Sequence, residues 1–134
     1  MRPRKITLVL KSHMNEVNLG LREVVNATKM RVEMMRYVTT SSNEKYLHFD
    51  IPEFTSENLT IDDKARICSK VFALDTGSNT LVRYSNLDTN SWDVDRGDDA
   101  VSFKNLKINI FINNELATTQ ITSNNPLILT LHFQ

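Results

Sequence analysis

One cysteine among 134 residues leaves no partner for an internal disulfide and too few thiolates for a multi-cysteine zinc site. Cys68 is therefore read as a small interior hydrophobe in a chain made in a reducing compartment. Glycine and proline are scarce, three of each, so asparagine has to serve the turn positions that need a left-handed backbone. Sixteen basic residues balance sixteen acidic ones. Zero net charge removes the global field that holds nucleic acid or an anionic membrane surface, and neither is an expected partner. No apolar run approaches the ~18 residues of a membrane span. The run Ile6–Leu10, after the basic start Met1-Arg2-Pro3-Arg4-Lys5, is too short for a signal peptide and has no small-residue cleavage site behind it. The expectation is one soluble domain over residues 1–134, made in the cytosol, with residues 1–5 as a basic arm.

What the chain does have is alternation. Side chains point to opposite faces along a strand, so an apolar residue at every second position marks a half-buried strand. Leu106, Ile108, Ile110 and Ile112 alternate with Asn105, Lys107, Asn109 and Phe111, and only Phe111 breaks the polar face. Leu127, Leu129, Leu131 and Phe133 repeat the pattern against Ile128, Thr130, His132 and Gln134. Leu47, Phe49 and Ile51 alternate with Tyr46, His48 and Asp50 until Pro52 ends the strand, and Ile6, Leu8 and Leu10 do so with Thr7 and Val9. Met30, Val32 and Met34 alternate with Lys29, Arg31 and Glu33, then the pattern slips at Met35, which predicts a bulge or a change of sheet face. Thr60-Ile61-Asp62-Asp63 has capping-box spacing ahead of Lys64-Ala65-Arg66, which predicts one short helix there. Loops rich in Asn, Ser, Thr and Asp separate these runs. The pattern predicts an all-β, antiparallel two-sheet sandwich of Greek-key or jelly-roll type with at most one short helix.

The run Val71-Phe72-Ala73-Leu74-Asp75-Thr76-Gly77-Ser78 resembles the catalytic loop of an aspartic protease. Such an enzyme needs two carboxylates sharing one proton about 3 Å apart, so a chain with one loop has to dimerise. It also needs a Gly-rich flap after the loop and a late apolar-apolar-Gly element, and past Gly77 the only glycine is Gly97. The same residues read as a hairpin, with Phe72–Leu74 and Leu81–Tyr84 as arms and Asp75, Gly77 and Asn79 in the turn. Neither a nucleophile elbow nor any other catalytic constellation is present, and the chain is not expected to be an enzyme.

The segment Trp92-Asp93-Val94-Asp95-Arg96-Gly97-Asp98-Asp99 concentrates carboxylates. It lacks the ligand order of a calcium loop, so no metal or other cofactor is assigned. Its Arg96-Gly97-Asp98 tripeptide matches an integrin-read sequence, and Trp92, Asp93, Asp95, Arg96, Gly97, Asp98 and Asp99 form the candidate interaction loop, with receptor contact as its use. Trp92 reads as a loop anchor. His13, His48 and His132 fall on separate segments and assemble no metal set by spacing.

Three stretches, "TKMRVEMMRYV" (28–38), "KYLHFDIPEF" (45–54) and "LKINIFINNELATTQITSNNPLILTLHFQ" (106–134), together resemble the single jelly-roll capsid proteins of eukaryotic double-stranded DNA viruses, the penton-type and minor capsid proteins. Asn113-Asn114 stands where relatives often carry Asp-Gly. The resemblance implies a virion structural protein, self-associated around a five-fold axis as a pentamer and in contact with neighbouring major capsid proteins, with the loops 39–43 and 92–99 facing outward and no catalytic residues to carry over. A second reading, from another class, is a β-sandwich module for carbohydrate or a cell-surface ligand, using Trp92, Tyr84 and Tyr46 as stacking surfaces and the acidic loop for calcium.

Overall fold

A computed structural model of the chain describes residues 4–12, 16–38, 44–55, 58–62, 64–74, 80–84, 91–113, 115–117 and 120–134. Twelve strands follow in order: β1 (Arg4–Leu10), β2 (Glu16–Ala27), β3 (Lys29–Val38), β4 (Tyr46–Asp50), β5 (Asn58–Asp62), β6 (Lys64–Cys68), β7 (Lys70–Ala73), β8 (Thr80–Tyr84), β9 (Val94–Asp95), β10 (Val101–Ile112), β11 (Glu115–Leu116) and β12 (Leu127–Phe133). Among the described residues, no helix is long and apolar enough to cross a membrane.

Ten of the strands form two antiparallel sheets, and β5 and β6 pair separately. The first runs β1-β12-β3-β8, with β9 beside β3 beyond the end of β8. The second runs β2-β10-β4-β7, with β11 beside β10 beyond the start of β2. Setting aside the short strands, the first strand pairs the last, the second the next to last, the third β8 and the fourth β7. That nested pairing is the single jelly roll. The chain changes sheets between β2 and β3 across Thr28 alone, and Gln134 holds the corner: its carbonyl accepts from the amides of Thr28 at 2.7 Å and Lys29 at 2.8 Å.

The alternating runs meet between the layers. Leu127, Leu129, Leu131 and Phe133 face Leu106, Ile108, Ile110 and Ile112, with Leu47, Phe49 and Ile51 beside them, all buried. Phe54, on a one-turn 3₁₀ segment opened by Pro52, is fully buried and packs its ring 5.3 Å from Phe133 and 6.0 Å from Phe103. Each such side chain contributes about 1.5–3 kcal/mol by leaving water.

Four expectations need correction. The segment 60–66 is not helical: β5 and β6 pair as a hairpin, with Leu59 opposite Ile67 and Asp62 opposite Lys64. Seven residues are about two turns, too short to repay helix nucleation whatever their cap. The "VFALDTGSN" stretch is not a hairpin either, because β7 pairs β4 in one sheet and β8 pairs β3 in the other. Tyr84 ties the two together across the layers, its hydroxyl donating to the Ala73 carbonyl at 2.6 Å. Asp75, Gly77 and Asn79 lie outside the described residues. Arg4 and Lys5 are no arm, since they pair Phe133 and His132 in β1, while residues 1–3 lie outside the described set.

The fourth correction concerns Met35. Register is unbroken along β3 on both of its edges, so there is no bulge. Met35 points outward, and the inward place after Met34 is taken by Arg36, whose side chain is completely buried. Its guanidinium donates to Glu44 Oε1 at 2.6 Å and Oε2 at 2.9 Å, to the Asn125 carbonyl at 2.9 Å and to the Gln120 carbonyl at 2.9 Å. The planar fork matches the carboxylate in the two-point geometry that only arginine offers. A real register shift lies elsewhere, in β2 against β10: Phe103 faces Val25 but Asn105 faces Gly20, so Leu21 to Val24 leave the ladder.

The prediction about turn asparagines holds at Asn113, which has φ 53° and whose side-chain oxygen accepts from the amides of Lys45 and Tyr46 at 2.7 and 3.3 Å.

Removing one member of a buried ion pair strands the other without water. Arg36→Ala is therefore expected to cost about 3–5 kcal/mol in urea denaturation, whereas the double change Arg36→Met with Glu44→Leu should cost much less. Equal losses would show that the charge pairing is not what matters at this position.

Candidate functional site

The segment 92–99 crosses one end of the first sheet, and most of its candidate residues are occupied in holding that end together. β9 and β8 both flank β3 but leave Val32 between them. Asp93 fills the gap: its Oδ2 accepts from the Val32 amide at 2.8 Å, and its Oδ1 lies 2.5 Å from Lys70 Nζ of the opposite sheet. This carboxylate is thus a ladder partner and a cross-layer ion pair. Asp95 Oδ1 accepts from the Gly97 amide at 2.8 Å, closing a turn in which Gly97 takes φ 65°. Arg96 donates to the Glu53 carbonyl, the Asp99 carbonyl and the Asp99 carboxylate, at 2.9, 2.9 and 2.8 Å.

Arg96 thus has three acceptors within the fold, with its side chain 28% exposed. Asp98 itself is exposed. The carboxylates diverge to different partners, and among the described residues no three His, Cys, Asp or Glu side chains gather as a metal set. Sequence patterning placed this loop but not its bonds, because every partner except Asp99 and the Gly97 amide comes from a distant segment.

The aromatic trio of the binding-module reading does not make one platform. Tyr46 stacks toward His48 at 6.1 Å on the second sheet, Tyr84 lies 5.3 Å from Phe72, and Trp92 carries the Arg31 guanidinium 5.4 Å from its ring centre. Trp92 is half-buried at the end of the first sheet, as a loop anchor should be. His48, expected on an outward face, is fully buried there, with the Phe111 ring stacked at 4.7 Å. This contact explains the apolar residue that interrupts the polar face of β10. His132 lies across from Glu33, Nε2 to Oε2 3.5 Å, and His13 is outside the described residues.

Strand order assembles two surface features. On the outer face of the first sheet, Val9, Ile128, Met35 and Arg83 stand in register across β1, β12, β3 and β8, with Tyr37 opposite Leu81 in the next row. Val9 and Leu81 are about half exposed, at 51% and 48%. At the other end of the same face, Lys5, His132 and Arg31 form a row across β1, β12 and β3, and with Arg4, Trp92 and Gln134 they line a cleft of about 250 Å³. Alternation in each strand hinted at these residues, yet only strand order sets them side by side.

Cys68 is buried beside Asp50, and burial first, then that carboxylate, pushes its thiol above the ordinary 9.0. A raised value in the fold means that the unfolded chain loses its proton first. Stability is then undiminished below pH 9.0 and falls above it. Cys68→Ala should remove that alkaline fall in denaturation curves taken across the range. In the acidic loop, Asp93→Ala is expected to cost about 2–3 kcal/mol by stranding the Val32 amide and Lys70, while Asp98→Ala stays within about 0.5 kcal/mol. Thermal or urea melting of the two variants reads this difference.

No protein-family model matches the chain, and no curated protein matches it. Among solved structures, it is similar to the VP2 subviral particle of infectious bursal disease virus, at 14% sequence identity and a TM-score of 0.29. That likeness covers 98% of this chain and 37% of the other, so the chain spans little more than a third of that protein's length.

Proposed function

We propose that this chain is a non-enzymatic structural subunit of a viral capsid, built to associate with copies of itself in a closed ring. A five-fold ring at a penton position, or a minor capsid place against neighbouring major capsid proteins, is the finer form of the reading. The sequence resemblance across 28–38, 45–54 and 106–134 supports it, and so does the nested strand order. Fold alone does not assign function, so the reading is carried by a surface. The row Val9, Ile128 and Met35, continued by Tyr37 and Leu81, is an apolar strip across adjacent strands on a sheet's outer face. Contiguous apolar surface of this kind marks an interaction site.

Repeated against a different patch on the next copy, such a strip makes a heterologous contact, and a rotation that closes gives a ring. Zero net charge leaves no global repulsion between copies. Assembly needs no catalytic group, and Asp93, Asp95 and Asp99 of the candidate loop are engaged within the fold.

Sedimentation with light scattering tests the reading. The expected result is a discrete multimer that Leu81→Glu or Val9→Glu converts to monomer, with the melting temperature lowered by no more than a few degrees. A wild-type chain that remains monomeric up to about millimolar concentration, where even a weak interface would populate, overturns it.

A further inference from the structure

The basic cleft at the far end of the first sheet continues into a second one. Arg4 and Lys5 line both: on one side lie Arg31, Trp92, His132 and Gln134, and on the other Ile6, Leu21, Arg22, Glu23 and Val25 around a space of about 290 Å³. The second cleft exists because of the register shift in β2. Leu21 to Val24 leave the ladder with β10 and reach the exposed edge of β1, where Glu23 Oε2 meets Arg4 Nη1 at 3.0 Å. Departures from regular pairing of this sort re-aim side chains at sheet edges beside binding sites. The ordered register elsewhere in both sheets makes this one conspicuous.

We propose that the two clefts form one binding track for an acidic oligosaccharide, a short chain of sugar rings carrying carboxylate or sulfate groups. Four permanent cations line the track, Arg4, Lys5, Arg22 and Arg31, in a chain whose total charge is zero. Arg31 holds its guanidinium 5.4 Å from the Trp92 ring centre, which places a permanent cation beside the indole. The indole edge on one side, and Ile6, Leu21 and Val25 on the other, offer apolar walls to the C–H faces of two rings.

Carboxylates interspersed with the cations decide between ligand classes. Glu23 sits against Arg4 in the second cleft, and Glu33, outside the lining of both, lies 3.5 Å from His132 of the first. A run of consecutive phosphates, as in nucleic acid, would meet these charges as repulsion, and the neutral chain supplies no field to offset it. Sugar hydroxyls meet them as acceptors. Each cleft holds about one ring, and the shared residues Arg4 and Lys5 stand where two rings would join. This site lies at the opposite end of the sheet from the apolar strip.

Trp92 is the only tryptophan, so its fluorescence reports on the first cleft without labelling. The full chain is titrated with a heparin-derived tetrasaccharide, its fully desulfated counterpart, and a single-stranded oligonucleotide of matched charge. The expected result is a saturable change with the sulfated sugar in the high-micromolar to millimolar range, weakened at least about tenfold by desulfation. Arg31→Ala and the exposed-site changes Lys5→Ala and Arg22→Ala should each weaken it by about threefold to tenfold. Lys5→Ala and Arg22→Ala should leave the melting temperature in place, which keeps the test valid if Arg31→Ala disturbs the fold. No saturable response, an equal response to the oligonucleotide, or indifference to Lys5→Ala and Arg22→Ala together would overturn the proposal. Light scattering on the same samples separates failure of the sugar site from failure of assembly.

Discussion

The sandwich closes at one end around a single buried ion pair. Arg36 occupies an inward place in β3 where every other residue is apolar, and Glu44, just ahead of β4, brings the matching charge from the chain that enters the opposite sheet. The same guanidinium binds the carbonyls of Gln120 and Asn125 in the segment that leads to β12. Two lengths of chain without regular secondary structure thereby acquire fixed places. Such a charge is tolerable inside only because its hydrogen-bonding capacity is met on the spot, by a carboxylate and two carbonyls that would themselves be stranded without it. The arrangement specifies where the loops go more than it adds to stability.

The opposite end of β3 is held by smaller versions of the same device. Asp93 completes the β3 ladder and reaches Lys70 in the facing sheet, Arg96 is anchored on Glu53, and Gln134 closes the corner where β2 passes into β3. Polar groups at the two ends and hydrocarbon between them leave the outer face of the first sheet to other uses. That face is divided, with an apolar strip toward the Arg36 end and a basic, aromatic-walled track toward the Asp93 end. The division follows from strand pairing, which sets unlike residues of four strands into rows, each row with its own chemistry.

Legibility varied with how far each feature depended on distant residues. The inward faces of β4, β10 and β12 were plain, because a period of two is written in consecutive residues, whereas the outward His48 and Phe111 are buried as well. Asn113 was plain for the same reason, since a left-handed turn constrains one residue. Met35 was misread as a slip in the pattern, because hydropathy assigns the Arg36 charge to solvent and cannot see Glu44 waiting for it. The hairpin assigned to 72–84 failed similarly: the two arms have strand character, but local pattern cannot tell a turn within one sheet from a passage between two. β2 escaped notice, as its apolar residues at 17, 19 and 21 lose their spacing at Val24-Val25, where the chain leaves the ladder. Of the loop 92–99, the residue types were read correctly as a polar connection, and their employment as internal ties was not.

By itself the sequence determined that the chain is an all-β, two-faced molecule with asparagine-led turns, since alternation and turn chemistry act over a few neighbouring residues. Which strand lies beside which, and so which side chains share a surface, was decided only by tertiary structure. Lys5, Arg31, Trp92 and His132 are scattered from one end of the sequence to the other, and no local rule relates them. They become neighbours because hydrogen-bonded pairing of β1, β12 and β3, locked by burial of the alternate faces, leaves their registers no freedom to slip.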